Sequence, residues 1–285
     1  MFYEKLSDKL SLPQEVRELM FSLQQKLGDL PELQDLLFAN EYTTEKMEEQ
    51  LKKLSEETET HEYTLSFYLL FISTKRLHEI YSEKGISEDI FFNTMMDLKY
   101  KLDECRALHG IWGTFVFGWF PEFYRLRRFG LGRLQYEIVT YEWEDYEKNG
   151  VSVKKGDTVY FCHIPSAGAL TKELRMDSYR QASVFFGEKR LIVICESWIL
   201  YPQQKDFLPP HSNILDFMND FDIISSEDDE GFPDAWRVFG KDHTLSPQQW
   251  PQETSMQRAY AKRILSGKPT GNGAGIIIFD GEKIL

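Results

Sequence analysis

The chain has little cysteine and no long apolar run, and both shortages limit what kind of protein it can be. It has 285 residues but only three cysteines, Cys105, Cys162 and Cys195, with no Cys-x-x-Cys spacing. The chain also opens without a basic-then-apolar leader, and its apolar stretches fall well short of the ~20 residues that a membrane helix requires. We therefore expect a reduced, cytoplasmic protein with no membrane partner.

Several signatures of catalysis and binding are absent as well. The sequence has no GxSxG string, no HxH or HExxH pair, and no Walker-type or dinucleotide glycine fingerprint, so we expect neither a serine hydrolase of that type nor a metal site. The formal net charge of -13 would repel a polyanion, and no lysine or arginine block opposes it. Nucleic acid is therefore not an expected partner.

Most of this acidic excess lies in the first 110 residues, which hold 22 Asp and Glu against 13 Lys and Arg. From Leu12 to about Cys105 the apolar residues recur at helical spacing and glycine is almost absent. The pattern predicts a bundle of about four to six helices. Taken by itself, such a bundle is typical of a structural or docking domain without chemistry.

The pattern changes after Gly110. Aromatic residues crowd residues 111–123, and four arginines follow at positions 125, 127, 128 and 133. We place a domain boundary here, with a helical domain over residues 1–120 and a second domain over residues 121–285.

Beyond this boundary, β-branched and aromatic runs alternate with helix-like segments, which predicts an α+β protein: a helical bundle followed by a mixed α/β sheet domain. The acidic residues 225–231 and the polar residues 240–253 are expected to be surface loops, and the glycine-rich residues 270–275 a flexible turn. Strands are predicted over residues 134–143, 158–164, 191–200, 222–225, 236–239 and 276–279, and helices over 171–186, 212–219 and 255–265.

One turn in this domain has the composition of an anion site. The predicted strand ending at Ile164 leads through small residues, Ser166 to Ala169, directly into a helix. Backbone N–H groups at a helix start, with the helix dipole behind them, attract phosphate, and small residues let it approach the backbone. A plain strand-to-helix turn would have the same composition, so both interpretations stay open.

Arg127 to Gly132 also matches the RxxGxG pattern with which many GNAT acetyltransferases hold the pyrophosphate of coenzyme A. In that motif a helix follows the glycines. Here residues 134–143 have the pattern of a strand, which argues against the same use of the motif.

Two titratable residues end strand-like runs. Glu196 ends a run that has the composition of a buried strand, which makes it a candidate general base. His163 ends another run beside the small-residue turn, where a histidine serves either as a base or as a hydrogen-bonded structural residue.

Several strings together resemble a known family. They are FGLGRLQYE, HIPSAGALTKE, SYRQASVFFG, ESWILYP, HSNILDFMNDF, VFG and TSMQRAYAKRILSG, in that order. They resemble the C-terminal half of a bacterial two-domain family in which a helical acyltransferase N-terminal domain precedes a GNAT-like C-terminal domain. The resemblance covers about residue 110 to the end, and the helical half matches in size and position.

The resemblance implies an N-acyltransferase that uses acetyl-CoA or another acyl-CoA. In a GNAT-like fold, the fourth strand and the helix after it bind the pantetheine and the pyrophosphate. The turn here departs from the usual Q/RxxGxG/A loop, which leaves open whether coenzyme A is bound. The implied cofactor contacts are main-chain groups of Cys162 to Ile164 and N–H groups of Ser166, Ala167, Gly168, Ala169 and Leu170.

The implied acceptor is a primary amine on a small molecule or a peptide. Glu196 or His163 would remove the amine proton, directly or through water, and Ser197 or Tyr201 would protonate the departing thiolate. The alternative is a non-catalytic GNAT-like protein that binds a ligand or docks a partner through its acidic bundle.

Overall fold

The structure, a computed structural model, describes residues 2–40 and 44–285 and divides into two compact units, Met1–Leu131 and Gly132–Leu285. The domain boundary at residue 120 stays a prediction. None of the described helices has both the length and the apolar composition needed to cross a membrane.

The first unit is helical, as the spacing of its apolar residues predicts. Its described helices are α1 (Phe2–Lys9), α2 (Gln14–Leu27), α3 (Pro31–Phe38), α4 (Thr44–Thr58), α5 (Glu62–Glu83), α6 (Glu88–His109) and α7 (Pro121–Tyr124), followed by the short strand β1 (Arg128–Leu131).

Helix α5 is the centre of this unit. Every residue from Thr64 to Thr74 is buried, so the helix is covered on all sides by its neighbours. The segment after α6 packs against its start, where a Cβ on Gly113 would lie 2.4 Å from the carbonyl oxygen of Tyr63. Thr114 N donates to that same oxygen at 2.9 Å. Glycine is therefore required where the two segments meet.

The second unit combines a mixed sheet with helices. Its strands β2, β5, β6, β8 and β7 lie side by side in that order, and a short hairpin, β3 with β4, stands apart. The strands are β2 (Leu134–Thr140), β3 (Tyr146–Lys148), β4 (Val151–Val153), β5 (Thr158–His163), β6 (Leu191–Ser197), β7 (Asp222–Asp229) and β8 (Thr270–Phe279), and the helices are α8 (Lys172–Phe186), α9 (Asn213–Met218), α10 (Ala235–Phe239) and α11 (Ser255–Leu265).

The order of a helical part and a sheet-based part agrees with the sequence analysis, and so do the three main helices of the second unit. Each of these helices begins behind a Thr or Ser whose side chain accepts a hydrogen bond from a backbone N–H inside the first turn. Such N-caps satisfy otherwise unpaired donors, which is why the starts were readable from sequence.

Three local expectations were wrong, and one hairpin was missing from them. Residues 236–239 lie in α10, and the acidic residues 225–229 belong to strand β7 rather than to a loop. The hairpin β3–β4 was not foreseen. Residues 270–275 form the first half of β8 instead of a flexible turn.

The glycines of β8 are explained by what passes over them. A Cβ on Gly273 would lie 2.2 Å from the carbonyl oxygen of Leu200, and one on Gly271 would lie 2.5 Å from the ring of Tyr201. The backbone of the segment after β6 therefore crosses β8 so closely that no side chain fits between the two segments. Glycine weakens a strand in isolation, but here only glycine allows this approach.

We expect Gly273→Ala to lower the free energy of unfolding by about 1–3 kcal/mol, because the new methyl group overlaps the backbone of Leu200. Urea denaturation measures the change. Ser226→Ala, at the exposed cross-strand partner of Gly273, serves as the control and should have little effect. Equal stability of the two variants would contradict the proposed close packing.

Candidate functional site

The sheet contains one parallel pair of strands, β5 and β6, and the candidate site lies where this pair ends. Their ladder has only two residue pairs, Tyr160 with Val193 and Phe161 with Ile194. Beyond it β5 continues to His163 and β6 to Ser197, each hydrogen-bonded to its antiparallel neighbour on the outer side. The two strands thus end side by side without a continuing ladder between them.

Two arginines hold the turn that follows β5. Arg133 donates to the carbonyl oxygens of Pro165 at 3.0 Å, Gly168 at 3.0 Å and Ala169 at 3.1 Å. Arg175 donates to the carbonyl oxygen of Leu170 at 2.9 Å. A planar guanidinium suits such a set of acceptors because its donors form a rigid fork. The main chain of the turn is therefore fixed through its carbonyl groups.

The orientation of these carbonyls also orients the N–H groups. In a planar trans peptide the C=O of one residue and the N–H of the next point in opposite directions. Because the carbonyls of Gly168, Ala169 and Leu170 point toward the arginines, the N–H groups of Ala169, Leu170 and Thr171 point away from them. Gly168 has φ +64° with nothing within 4 Å of an added Cβ, so the turn needs glycine for its backbone conformation rather than for space.

The other predicted cofactor residues lie around this turn. Cys162 is buried, Ile164 and Ala167 are half-buried, and Ser166 and Gly168 are exposed. Ala167 N donates to the carbonyl oxygen of Pro165 at 2.8 Å.

Helix α8 begins directly after the turn. Its N-cap Thr171 accepts from Leu174 N, and the exposed Glu173 carboxylate accepts from its own backbone N–H and from Thr171, which holds the pKa of Glu173 below its usual value. A carboxylate already occupies the positive end of the helix. A phosphate arriving here would have to displace the Glu173 side chain.

His163 is paired with a carboxylate that sequence analysis did not find. Its Nε2 lies 2.9 Å from Oε2 of Glu137, and both side chains are 15% exposed. The carboxylate of Glu137 holds the imidazole ring of His163 in a fixed orientation. A base oriented by a third group in this way is a recurring arrangement in catalysis.

Glu196 is exposed and lines a cavity of about 150 Å³ together with residues of β7 and β8, including Glu227 and Asn272. Side chains alternate between the two faces of a strand. Counting from the Phe161–Ile194 pair, His163 and Glu196 therefore project from the same face of the sheet. The structure brings the two base candidates to one face.

The two acid candidates belong to the opposite face. Ser197 follows Glu196 along β6, and its hydroxyl accepts from Ile199 N. The Tyr201 ring packs over Gly271, and its hydroxyl donates to Asp228 at 2.5 Å. Burial and this carboxylate raise the pKa of Tyr201 to about 12. Tyr201 consequently keeps its proton at neutral pH, as an acid must before it reacts.

Cys162 and Cys195 lie at the end of the ladder, on the face of the sheet opposite His163 and Glu196. Both thiols are buried, and burial together with their mutual hydrogen bond raises the pKa of Cys162 well above its usual value. A thiol kept protonated in this way is a poor nucleophile. Their part in the site is therefore structural.

The RxxGxG arginines are used elsewhere. Arg127 forms an ion pair with Glu122, and Arg128 lies over the ring of Trp119 at 3.8 Å and donates to its carbonyl oxygen. Gly130 lies in strand β1, and no helix follows. Of the arginine cluster, only Arg133 reaches the candidate site, and its role could not be read from spacing.

No group of three or more His, Cys, Asp or Glu side chains within residues 2–40 and 44–285 is arranged to hold a metal ion.

Together, the strand order, the single parallel pair and the helix that follows its turn define a GNAT-like sheet domain, which comes after the helical unit in the chain. Family models agree with this class. An N-acyltransferase N-terminal domain matches residues 1–126 and a GNAT-like C-terminal domain matches residues 128–277. The chain belongs to this two-domain family, which confirms the resemblance and the predicted fold class.

Solved structures show the same fold over nearly the whole chain. An acyltransferase in complex with decanoyl-CoA and teicoplanin is 19% identical, with a TM-score of 0.66, over 97% of this chain and 99% of that one. An acyltransferase mutant in complex with octanoyl-CoA is 18% identical, with a TM-score of 0.67, over 98% of this chain and 100% of that one. No curated protein matches the chain.

We expect Arg133→Gln and Arg133→Lys to loosen the turn, because neither side chain reproduces the fork that binds three carbonyls. Limited proteolysis with elastase, which cleaves after small residues, should cut within residues 165–170 several times faster in both variants. Arg180→Gln, at an exposed position of α8, is the matched control. If all four proteins are cleaved alike, Arg133 does not hold the turn.

Proposed function

We propose that the protein is an N-acyltransferase that moves an acyl group from acyl-CoA to a primary amine on a small molecule or a peptide. The observation that carries the proposal is the turn after β5, whose carbonyls are held by Arg133 and Arg175 and whose N–H groups from Ala169 to Thr171 point the other way. Outward N–H groups at a helix start are suited to the pyrophosphate of coenzyme A, once the exposed Glu173 side chain moves aside. Membership in the family supports the same activity.

The end of the parallel ladder is the place for the thioester. The base candidates Glu196 and His163 project from one face of the sheet, and the acid candidate Tyr201 lies on the other. A thioester between the ends of β5 and β6 would be open to both faces of the sheet, because no ladder continues between the strands there. The pantetheine arm would therefore run from the turn to this point, with main-chain groups of Cys162 to Ile164 beside it.

The reaction would be a direct transfer. Glu196 or His163 takes a proton from the ammonium or amine, and the amine nitrogen attacks the thioester carbonyl. The C–N bond forms, the C–S bond breaks, and the thiolate takes a proton from Tyr201 or Ser197. The products are an amide and free coenzyme A. The role of Glu137 would be to orient the His163 ring.

The length of the acyl chain that the protein accepts can be tested directly. Related structures hold octanoyl-CoA or decanoyl-CoA, so the donor proposed here includes medium-chain thioesters as well as acetyl-CoA. Titration with acetyl-CoA, octanoyl-CoA and decanoyl-CoA in parallel would rank them.

We expect Gly168→Leu to weaken coenzyme A binding by at least about tenfold, because the side chain would stand where the phosphates approach the backbone. Calorimetric titration with coenzyme A measures the affinity. Gly187→Leu is the matched control: it lies at the other end of α8, with φ +71° and nothing within 4 Å of an added Cβ.

Both substitutions force a side chain into left-handed backbone, at a similar cost of about 1–2 kcal/mol. Their stabilities should therefore fall together, whereas only Gly168→Leu should lose affinity. Equal affinities in two folded variants would remove the turn as the phosphate site.

We expect either Glu196→Gln or His163→Gln to lower the acyl-transfer rate about 10²- to 10⁴-fold while acyl-CoA still binds, because each replaces a proton acceptor with a neutral amide. Release of free thiol from acyl-CoA, measured with a panel of primary amines, reports the rate. Glu227→Gln, in the same cavity as Glu196, controls for the loss of a nearby charge. Acyl-CoA binding without turnover in the unmodified protein would instead favour the non-catalytic alternative.

A further inference from the structure

The helical unit contains a larger cavity that the acyl-transfer proposal does not use. Its volume is about 480 Å³, within the range of about 300–1,000 Å³ typical of small-molecule sites. It lies between α4, the start of α5 and residues 114–117. All of its described walls belong to the first unit.

The rim of this cavity is strongly acidic. Four glutamates line it, opposed by one lysine, Lys52; the glutamates are Glu45, Glu48, Glu49 and Glu62. All five side chains are exposed. Like charges gathered around a concave surface focus a negative potential into it, which favours a cationic occupant.

The floor of the cavity is aromatic. Phe117 is buried, Tyr63 and Phe115 are half-buried, and the last two rings lie 6.3 Å apart at 58°. The packing of Gly113 and Thr114 against the start of α5 holds this floor in place. Ring faces attract ammonium groups, and aromatic walls also bury an apolar body. The cavity therefore suits a cation that carries apolar groups.

One buried hydroxyl indicates which kind of cation. Ser66 lines the cavity with only 6% of its surface exposed, and its hydroxyl has no hydrogen bond to any residue of the described ranges. Other hydroxyls of the same helix are satisfied internally: Ser73 donates to the carbonyl of Leu69 at 2.7 Å and Thr74 to that of Phe71 at 2.6 Å. Because Ser66 lines the cavity, its oxygen can accept a hydrogen bond from an N–H donor of a ligand bound there.

We propose that this cavity binds a primary ammonium ion attached to an apolar body, with the Ser66 oxygen as acceptor, the glutamates as counter-charge and the aromatic floor against the apolar part. A quaternary ammonium would satisfy the rings but could not donate to Ser66. The described walls of this site belong to the first unit alone, so the proposal does not rest on the acyl-CoA site.

The test uses 2-phenylethylammonium as the probe and 2-phenylethanol as a neutral analogue of the same size, titrated calorimetrically into the full-length protein. We expect the ammonium to bind at least about tenfold more tightly than the alcohol, and more weakly as salt is added. Equal affinities, or no binding of the ammonium at millimolar concentration, would overturn the proposal.

Matched variants locate the site. The double variant Glu48→Gln with Glu62→Gln should weaken ammonium binding about five- to tenfold. Glu56→Gln with Glu83→Gln removes the same charge from the same two helices outside the cavity and should leave the affinity nearly unchanged. Equal losses in the two double variants would show attraction to the whole acidic surface and would overturn the assignment.

The serine is tested in the same way. Ser66→Ala should weaken binding of 2-phenylethylammonium several-fold, whereas Ser73→Ala, whose hydroxyl is satisfied inside α5, should not. Circular dichroism confirms that each variant is folded. Unchanged affinity in folded Ser66→Ala would exclude the hydroxyl as acceptor and, with it, the preference for a primary ammonium.

Discussion

The proposed acyl-CoA site depends on the hydrogen bonds that the buried guanidinium of Arg175 donates. It is fully buried and donates to the carboxylate of Asp220 at 2.7 Å, to that of Asp216 at 2.9 Å and to the carbonyl of Leu170. One side chain thereby joins α8, the turn before it and the segment that leads into β7. Removing one partner of a buried pair typically costs about 3–5 kcal/mol, because the other charge is left uncompensated. A turn held in this way presents its N–H groups without relying on its own weak conformational preference.

The candidate catalytic side chains of the second unit lie on two different faces of its sheet. Alternation along β5 and β6 sends His163 and Glu196 to one face and the buried Cys162 and Cys195 to the other, while the chain after β6 carries Tyr201 across the glycines of β8. In the acyl-transfer proposal, a thioester between the strand ends would be open to groups from both faces. The glycines are part of this arrangement, since a side chain at Gly271 or Gly273 would push Tyr201 away from Asp228.

The two units are stabilised differently, and each has its own candidate site. The first is organised around a helix buried on all sides, so its surface is free to carry acidic side chains around an aromatic cavity. The second is organised around a sheet whose short parallel ladder ends beside an arginine-held turn. A site made of carboxylates and rings suits an organic cation, whereas a site made of outward N–H groups suits phosphate.

The sequence by itself determined the helical first part, the three main helices of the second unit and the strand–turn–helix around Gly168, because periodicity, Thr and Ser caps and small residues act locally. Only the tertiary structure decided that Thr270–Gly275 is a strand. Glycine is needed there because Leu200 and Tyr201, about 70 residues earlier in the chain, pack directly against the strand. The tertiary structure also decided that Glu137 pairs with His163 and that Arg133 donates hydrogen bonds to the turn. Both join residues more than 25 positions apart, and strand register, which a single sequence does not encode locally, sets which side chains meet.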